Sequence, residues 1–484
     1  MNLRQSSFSA GRWTTASTLT AVGLQVAQTI ILARILLPAD FGLMSVAGSV
    51  IAVIALFVDM GLSQALIHYD RVSSRERSSI YWLNMSLAFF LMAALIVVAP
   101  MIGSVFDSEE LVSLLRWGSV MFPLASIGQQ LRALAAKALR FNRLAPIEIL
   151  ASLAGVLLAI FVAYMGGGVY SLVCGLLTRA AASSLLAWLF LPALYRPRFH
   201  FRLREATPYF GFGGYSTGES LANELHRNAD VFAGGLVVGP AALGLYAVPR
   251  DLSMRLSSIL NGIVTKIGFP VMSQVKEEPD RLRNIYLQTL RVTASINFPI
   301  YVIMALFANE IVALLYGPNW HDAAVYLRIL SVWGLIRSTG NPVGSLLYAT
   351  GRTRSALVWN ITLLLALPPL YWAASRAHGL LGLAFSALFI QSALVFPAWL
   401  FLVKPCCGAT FREYLAQFSA PLFCASIAGL FAWLATPVSP TIPVRLIIGC
   451  ILVGLVYLGL SSVFNRRWVD VMLEFLRPTP ISRM

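Results

Sequence analysis

Fourteen apolar stretches, each about as long as a bilayer crossing, follow one another with little chain between them. A spanning helix needs roughly 20 mostly apolar residues to cross about 30 Å of hydrocarbon. The stretches lie at 13–37, 41–67, 80–103, 111–137, 145–165, 169–194, 209–238, 241–270, 285–308, 322–349, 355–376, 379–403, 414–435 and 443–464. Several are separated by sharp turn signals, such as Leu37-Pro38-Ala39-Asp40, Gly166-Gly167-Gly168 and Gly317-Pro318-Asn319. In lipid each backbone polar group must be satisfied within its own segment, so such stretches are expected to be helices. The expectation is an all-α integral membrane protein. Charged residues make up 12% of the 484, against about 25% in soluble chains, too few for a polar skin around a fold of this size.

The loops alternate in charge. One side carries twenty-three Lys or Arg, including Arg75 and Arg77, Lys137 and Arg140, four arginines between 196 and 204, and the tail arginines. The opposite side has Arg34, Arg376 and Arg445, beside the acidic run Asp107-Ser108-Glu109-Glu110. Positive charge collects on the cytoplasmic side, so both termini are expected in the cytoplasm and the helix count is expected to be even. The same location of the charge argues against nucleic acid as the reason for the net +15. The first stretch has no small-residue cleavage site after a short apolar core, so no cleavable leader is expected. The loops are short, and function is expected to reside in the helices.

An internal repeat divides the chain. Pro38-Ala39-x-x-Gly42-Leu43-x-x-Val46 reappears 202 residues later as Pro240-Ala241-x-x-Gly244-Leu245-x-x-Val248. A second match has an offset of 212: Leu115, Arg116, Ser119 and Gly128 align with Leu327, Arg328, Ser331 and Gly340. An even number of helices per repeat gives both halves the same orientation, related by an axis along the membrane normal. The expected parts are a six-helix bundle over 1–205, a second over 206–408, and a pair of further helices with a tail over 409–484.

The segment Leu32-Ala33-Arg34-Ile35-Leu36-Leu37-Pro38-Ala39-Asp40-Phe41-Gly42, followed by Asp59-Met60-Gly61-Leu62-Ser63-Gln64-Ala65-Leu66, resembles the opening of Wzx-type polysaccharide flippases. Arg227-Asn228-Ala229-Asp230, Gly239-Pro240-Ala241-Ala242-Leu243-Gly244-Leu245-Tyr246 and Phe269-Pro270-Val271-Met272-Ser273 resemble the start of their second half. That family lies within the multidrug/oligosaccharidyl-lipid/polysaccharide exporter superfamily. The resemblance implies two bundles around a central cavity in a bacterial inner membrane. It implies an undecaprenyl-diphosphate-linked oligosaccharide as cargo, carried to the periplasmic leaflet by alternating access for exopolysaccharide, capsule or O-antigen synthesis. Membrane lipid, a polysaccharide polymerase and export machinery are the partners it implies, and basic cavity residues are expected to hold the diphosphate.

Charges inside the stretches give the candidate site, because a charge at mid-bilayer costs about 2.5–3.5 kcal/mol on insertion scales and is kept for a cavity or a partner. Arg116, Arg132, Lys266, Arg291 and Arg328 lie near helix ends, where snorkelling accounts for them. Glu224 and Asp230 each stand three residues from Arg227, and Asp251 four before Arg255, so these sets partly neutralise themselves. Arg179, Arg250 and Arg337 have no acid three or four residues away. A guanidinium suits phosphate because its planar fork donates two parallel hydrogen bonds. Arg227, Arg250 and Arg255, with Arg179 and Arg337, are the candidate diphosphate ligands. Asp59, Glu219, Glu224 and Asp230 are candidates for a coupled proton or cation, with ion pairing to nearby arginines as the structural alternative.

No metal or cofactor is expected: His68, His200, His226, His321 and His378 have no zinc spacing, and no phosphate-cradling GxxxxGK[ST] loop occurs. Gly214 and Gly218 read as a helix-crossing pair. Ion-coupled multidrug efflux is one alternative, though deep basic residues tilt toward an anionic cargo. A membrane-embedded polysaccharide polymerase is another, and it lacks the expected large outer loop or His/Asp cluster.

Overall fold

The computed structural model describes residues 3–69, 72–191, 196–436, 441–466, 468–470 and 472. Arg71, Arg467, Arg477 and Arg483, and most of the expected tail, lie outside the described residues. All regular secondary structure among the described residues is helical. The chain divides into two compact units, Met1–Ala247 with Asn360–Leu383, and Val248–Trp359 with Ala384–Met484.

The first unit runs through α1 (Leu3–Ala33), α2 (Pro38–Asp59), α3 (Leu62–His68), α4 (Ser74–Val105) and α5 (Glu109–Ser119). It continues with α6 (Met121–Lys137), α7 (Phe141–Tyr164), α8 (Tyr170–Phe190), α9 (Leu203–Arg227) and α10 (Ala229–Val238). Local chemistry sets the ends. Pro38 opens α2 where its missing N–H costs nothing, and the Leu37 N–H donates to the Asp40 carboxylate at 2.9 Å. Met60 and Gly61 take positive φ of 43° and 69° and end α2 sharply. A reciprocal capping box of Ser73 and Glu76 starts α4. Between α6 and α8, Ser184 Oγ accepts the Gly128 N–H at 3.2 Å and Trp188 donates to the Ile127 carbonyl at 2.8 Å. Arg132 does not snorkel here: it donates to Ser183 Oγ at 3.0 Å and the Ala125 carbonyl at 3.1 Å.

The two repeated motifs meet in this unit. A Cβ built on Gly42 would run into the Pro240 carbonyl oxygen and come within 2.6 Å of the Gly244 nitrogen. A Cβ on Gly244 would run into the Pro38 carbonyl and come within 3.0 Å of the Gly42 nitrogen. Only glycine permits two backbones to approach this closely. Beside it, Val46 of α2 and Phe106 pack on Gly235 of α10.

The second unit is built on α11 (Gly244–Gln274), α12 (Pro279–Leu306), α13 (Ala308–Leu315), α14 (Ala323–Ser338) and α15 (Asn341–Ala349). Then come α16 (Thr353–Ala393), α17 (Val395–Ala398), a π-helical turn Trp399–Val403, α18 (Lys404–Cys407), α19 (Phe411–Ala435) and α20 (Ile442–Phe464). The unit boundaries cut α11 and α16. His378 and Gly379 leave helical geometry inside α16, Gly379 with φ 59°. Tyr286, Trp399 and Tyr414 belong to one apolar cluster here. A polar seam fastens α12 to the C-terminal helices: Tyr457 OH donates to the Ser295 carbonyl at 2.7 Å and Asn465 Nδ2 to Ser295 Oγ at 2.8 Å.

Ten segments among the described residues are long and apolar enough to cross a membrane. One of them, Arg354–Cys407, has 54 residues, which at 1.5 Å per residue runs about 80 Å and exceeds two hydrocarbon thicknesses. The break at His378–Gly379 falls where the sequence separates 355–376 from 379–403. The ten do not include α9, α11 or α14, three helices that carry candidate charges.

Candidate functional site

In the second unit one tyrosine ties together α11 and α14, the helices that carry three of the candidate arginines. Tyr301 of α12 is buried and donates its hydroxyl to the Ser253 carbonyl of α11 at 2.7 Å. Its ring fills the space above Gly334 of α14, where a Cβ would lie 2.6 Å from Cε1. Arg250 stands one turn before Ser253, Arg255 two residues after it, and Arg337 one turn after Gly334. Tyr301 therefore ties the turn of α11 that carries Arg250 to the turn of α14 that carries Arg337, while Arg255, two residues from Ser253, lies on the other side of α11. Arg250 is 8% exposed. Arg255 pairs with Asp251, as the i,i+4 spacing predicts. The Arg337 guanidinium lies over the Trp333 ring, 5.3 Å from its centre, a cation–π placement that holds the charge.

The first unit holds the remaining candidates. At the end of α9, Glu224 pairs with Arg227 at 2.9 Å and accepts from Asn228 at 2.8 Å, so this acid organises the turn into α10. Asp230, 3% exposed, accepts the Tyr246 hydroxyl at 2.6 Å. Asp59 accepts the Ser63 N–H at 3.1 Å and hydroxyl at 2.6 Å, and Asn84 at 3.4 Å. Those bonds satisfy the start of α3, giving Asp59 a capping role. Glu219 is half-buried on α9. Arg179 is exposed on α8, with its Cβ facing Gly155 of α7. Gly211, Gly214 and Gly218 share one side of α9, and a Cβ on any of them would meet nothing within 4 Å. Among the described residues the Gly214–Gly218 pair therefore meets no crossing helix.

Sequence reasoning missed the residues whose partners are distant. Glu310 of α13, 10% exposed, pairs with Arg445 of α20 at 2.8 Å. Arg291 donates to Gln417 at 3.0 Å, and both line a cavity of about 520 Å³ with Asn284, Gln288, Trp468 and Asp470. Tyr246 and Tyr301 carry no charge to flag them. Their only sequence signal is a hydroxyl inside an apolar stretch, which needs a buried acceptor.

Residues 31–325 match the family described as polysaccharide biosynthesis protein, more than half of the chain. The chain belongs to that family. The Wzx-type resemblance read from the repeated motifs is borne out at this level. This polysaccharide biosynthesis protein is 29% identical over 423 residues to the lipopolysaccharide biosynthesis protein WzxC of Escherichia coli (strain K12), covering 87% of this chain and 86% of that one. It is 28% identical over 413 residues to the teichuronic acid biosynthesis protein TuaB of Bacillus subtilis (strain 168), covering 85% and 86%. Its fold is that of a solved structure described as the lipid II flippase MurJ in an inward closed conformation. The TM-score is 0.75 at 12% identity, covering 94% of this chain and 99% of that one.

Proposed function

We propose that this chain is a membrane transporter, not an enzyme: a flippase for an undecaprenyl-diphosphate-linked oligosaccharide repeat unit. It moves the unit from the cytoplasmic to the periplasmic leaflet of a bacterial inner membrane by alternating access, for exopolysaccharide, capsule or O-antigen synthesis. In this reading fourteen helices form two parallel-repeat bundles, 1–205 and 206–408, and a terminal pair within 409–484, with both termini cytoplasmic. Family membership and the relatives' names support the polysaccharide pathway. The reciprocal contact of Gly42 and Gly244 supports the repeat, because a twofold axis makes each motif meet the other through the same position.

The observation that carries the cargo assignment is the placement of the charges. The arginines lie on α11 and α14, and Tyr301 ties the turns that carry Arg250 and Arg337 to each other. A low-dielectric region with convergent guanidinium groups is suited to a diphosphate. Arg227 and Arg179, in the first unit, are the further candidate diphosphate ligands. Among the acids, Asp230 is the proposed coupling group, with Glu219, Glu224 and Asp59 as lesser candidates.

Purified protein in vesicles should move a fluorescent lipid-linked oligosaccharide out of reach of a quencher in one leaflet. Equal movement of a neutral, phosphate-free analogue would overturn the anion reading. An imposed pH or sodium gradient should change the rate, and D230N should remove that response. A rate indifferent to both gradients excludes coupling.

A further inference from the structure

Residues 196–204, which lead from α8 into the first turn of α9, read Arg-Pro-Arg-Phe-His-Phe-Arg-Leu-Arg: four arginines interleaved with three large apolar side chains. The segment is fastened to the first turns of α4. The Arg198 N–H donates to Ser78 Oγ at 3.0 Å and the Arg202 N–H to Ser79 Oγ at 3.1 Å. Ser79 donates to the Glu205 carboxylate at 2.7 Å, and the His200 ring lies 3.0 Å from that same carboxylate. The Trp82 indole donates to the Arg198 carbonyl at 2.8 Å and stacks on Phe199 with ring centres 5.3 Å apart.

The inner edge of the segment is therefore committed to α4, and its outer edge is not covered. Phe199 is 96% exposed, Leu203 56% and Phe201 52%. Arg196, Arg198, Arg202 and Arg204 are all exposed. Leaving three large apolar side chains in water forfeits several kcal/mol of burial. The depth of the segment names what covers them. Ser78 and Trp82 stand four and eight residues into α4, about 6–12 Å from its start. With 32 residues, α4 is about 48 Å long and overruns a hydrocarbon core of about 30 Å into both headgroup layers. Residues 196–204 then lie at headgroup depth, where apolar rings reach acyl chains while guanidinium groups meet phosphates.

We propose that residues 196–204 are an anchor for anionic glycerophospholipid, which ties the start of α9 to the bilayer surface. The partner is the bulk lipid of the leaflet, and the inference stands whatever the cargo is. Because α9 carries Glu219, Glu224 and Arg227, the anchor makes the position of these residues sensitive to lipid composition.

The test uses the full chain in vesicles, with F199C carrying a fluorophore in a background free of other cysteines. Doxyl-labelled phosphatidylglycerol should quench it more than doxyl-labelled phosphatidylcholine at equal mole fraction. R198Q should lower that preference about fivefold, the step expected for one arginine near an anionic surface, and the four-fold Arg→Gln variant should abolish it. Unchanged thermal unfolding of each variant shows that the fold is intact. Equal quenching by both lipids overturns headgroup recognition, and quenching by neither places the ring in water or against protein and overturns the anchor.

Discussion

Gly42 and Gly244, 202 residues apart, each stand where a Cβ would strike the backbone that opens the other's motif. The contact is reciprocal, so bulk at either position has the same consequence. G244V should force the motifs apart at a cost of about 2–3 kcal/mol, enough to displace a two-state equilibrium roughly 30- to 150-fold. Labelling of V46C by an impermeant maleimide added outside should rise in the G244V background, and polymer export should fall. Unaltered labelling would show that the contact does not control access.

Arg250 and Arg337 stand one turn from Ser253 and Gly334, the residues that Tyr301 contacts, and both are proposed cargo ligands. In an export-null strain, R250A and R337A should each lower polymer export more than about tenfold at normal protein level, the effect of losing about 1.4 kcal/mol of transition-state or cargo binding. R250K should recover part of it, since a lysine keeps the charge and loses the planar fork. Normal export by R250A would remove that residue from the path.

The Glu310–Arg445 pair joins α13 to α20 with little exposure. Removing one partner leaves a desolvated charge, so E310Q and R445Q should each lower stability by about 1.5–3 kcal/mol. The double variant should lose less than the sum of the two, giving a coupling energy readable by thermal unfolding in detergent.

Glu205 answers to pH through the anchor. The hydrogen bond from Ser79, then that with His200, holds its carboxyl below the ordinary range. A depressed folded pKa means that the stabilisation is fully present above the unfolded value and is lost as pH falls through the folded one. A spin label at position 199 should stay restrained near neutrality and become mobile only at pH values below the ordinary glutamate range. S79A, which removes the largest cause, should move that onset to higher pH.

The membrane architecture was legible because lipid imposes length and apolarity on every segment it touches. Legibility was poorer where helices carry charge. α9 and α11 are not among the segments apolar enough to cross, so periodicity says little about their faces. Local pairs such as Glu224–Arg227 and Asp251–Arg255 follow from spacing and are present. Glu310–Arg445 and Arg132–Ser183 join different helices, and no local pattern encodes them. Asp59 looks from sequence like a mid-membrane acid. The positive φ at Met60 ends α2 there and turns the acid into the cap of α3, a break that an unremarkable Met does not announce.

The seam at Ser295 also fixes an order of events in biogenesis. Asn465, the partner of its hydroxyl, is made 170 residues later, which at about 5–20 residues per second is roughly 10–30 s of synthesis. For that interval α12 sits at the insertion machinery with its polar row unfilled, a stretch that a membrane chaperone can hold and a membrane protease can attack. A chain cut short before Tyr457 never closes the row. Truncated products should therefore be cleared even when every earlier helix has been inserted.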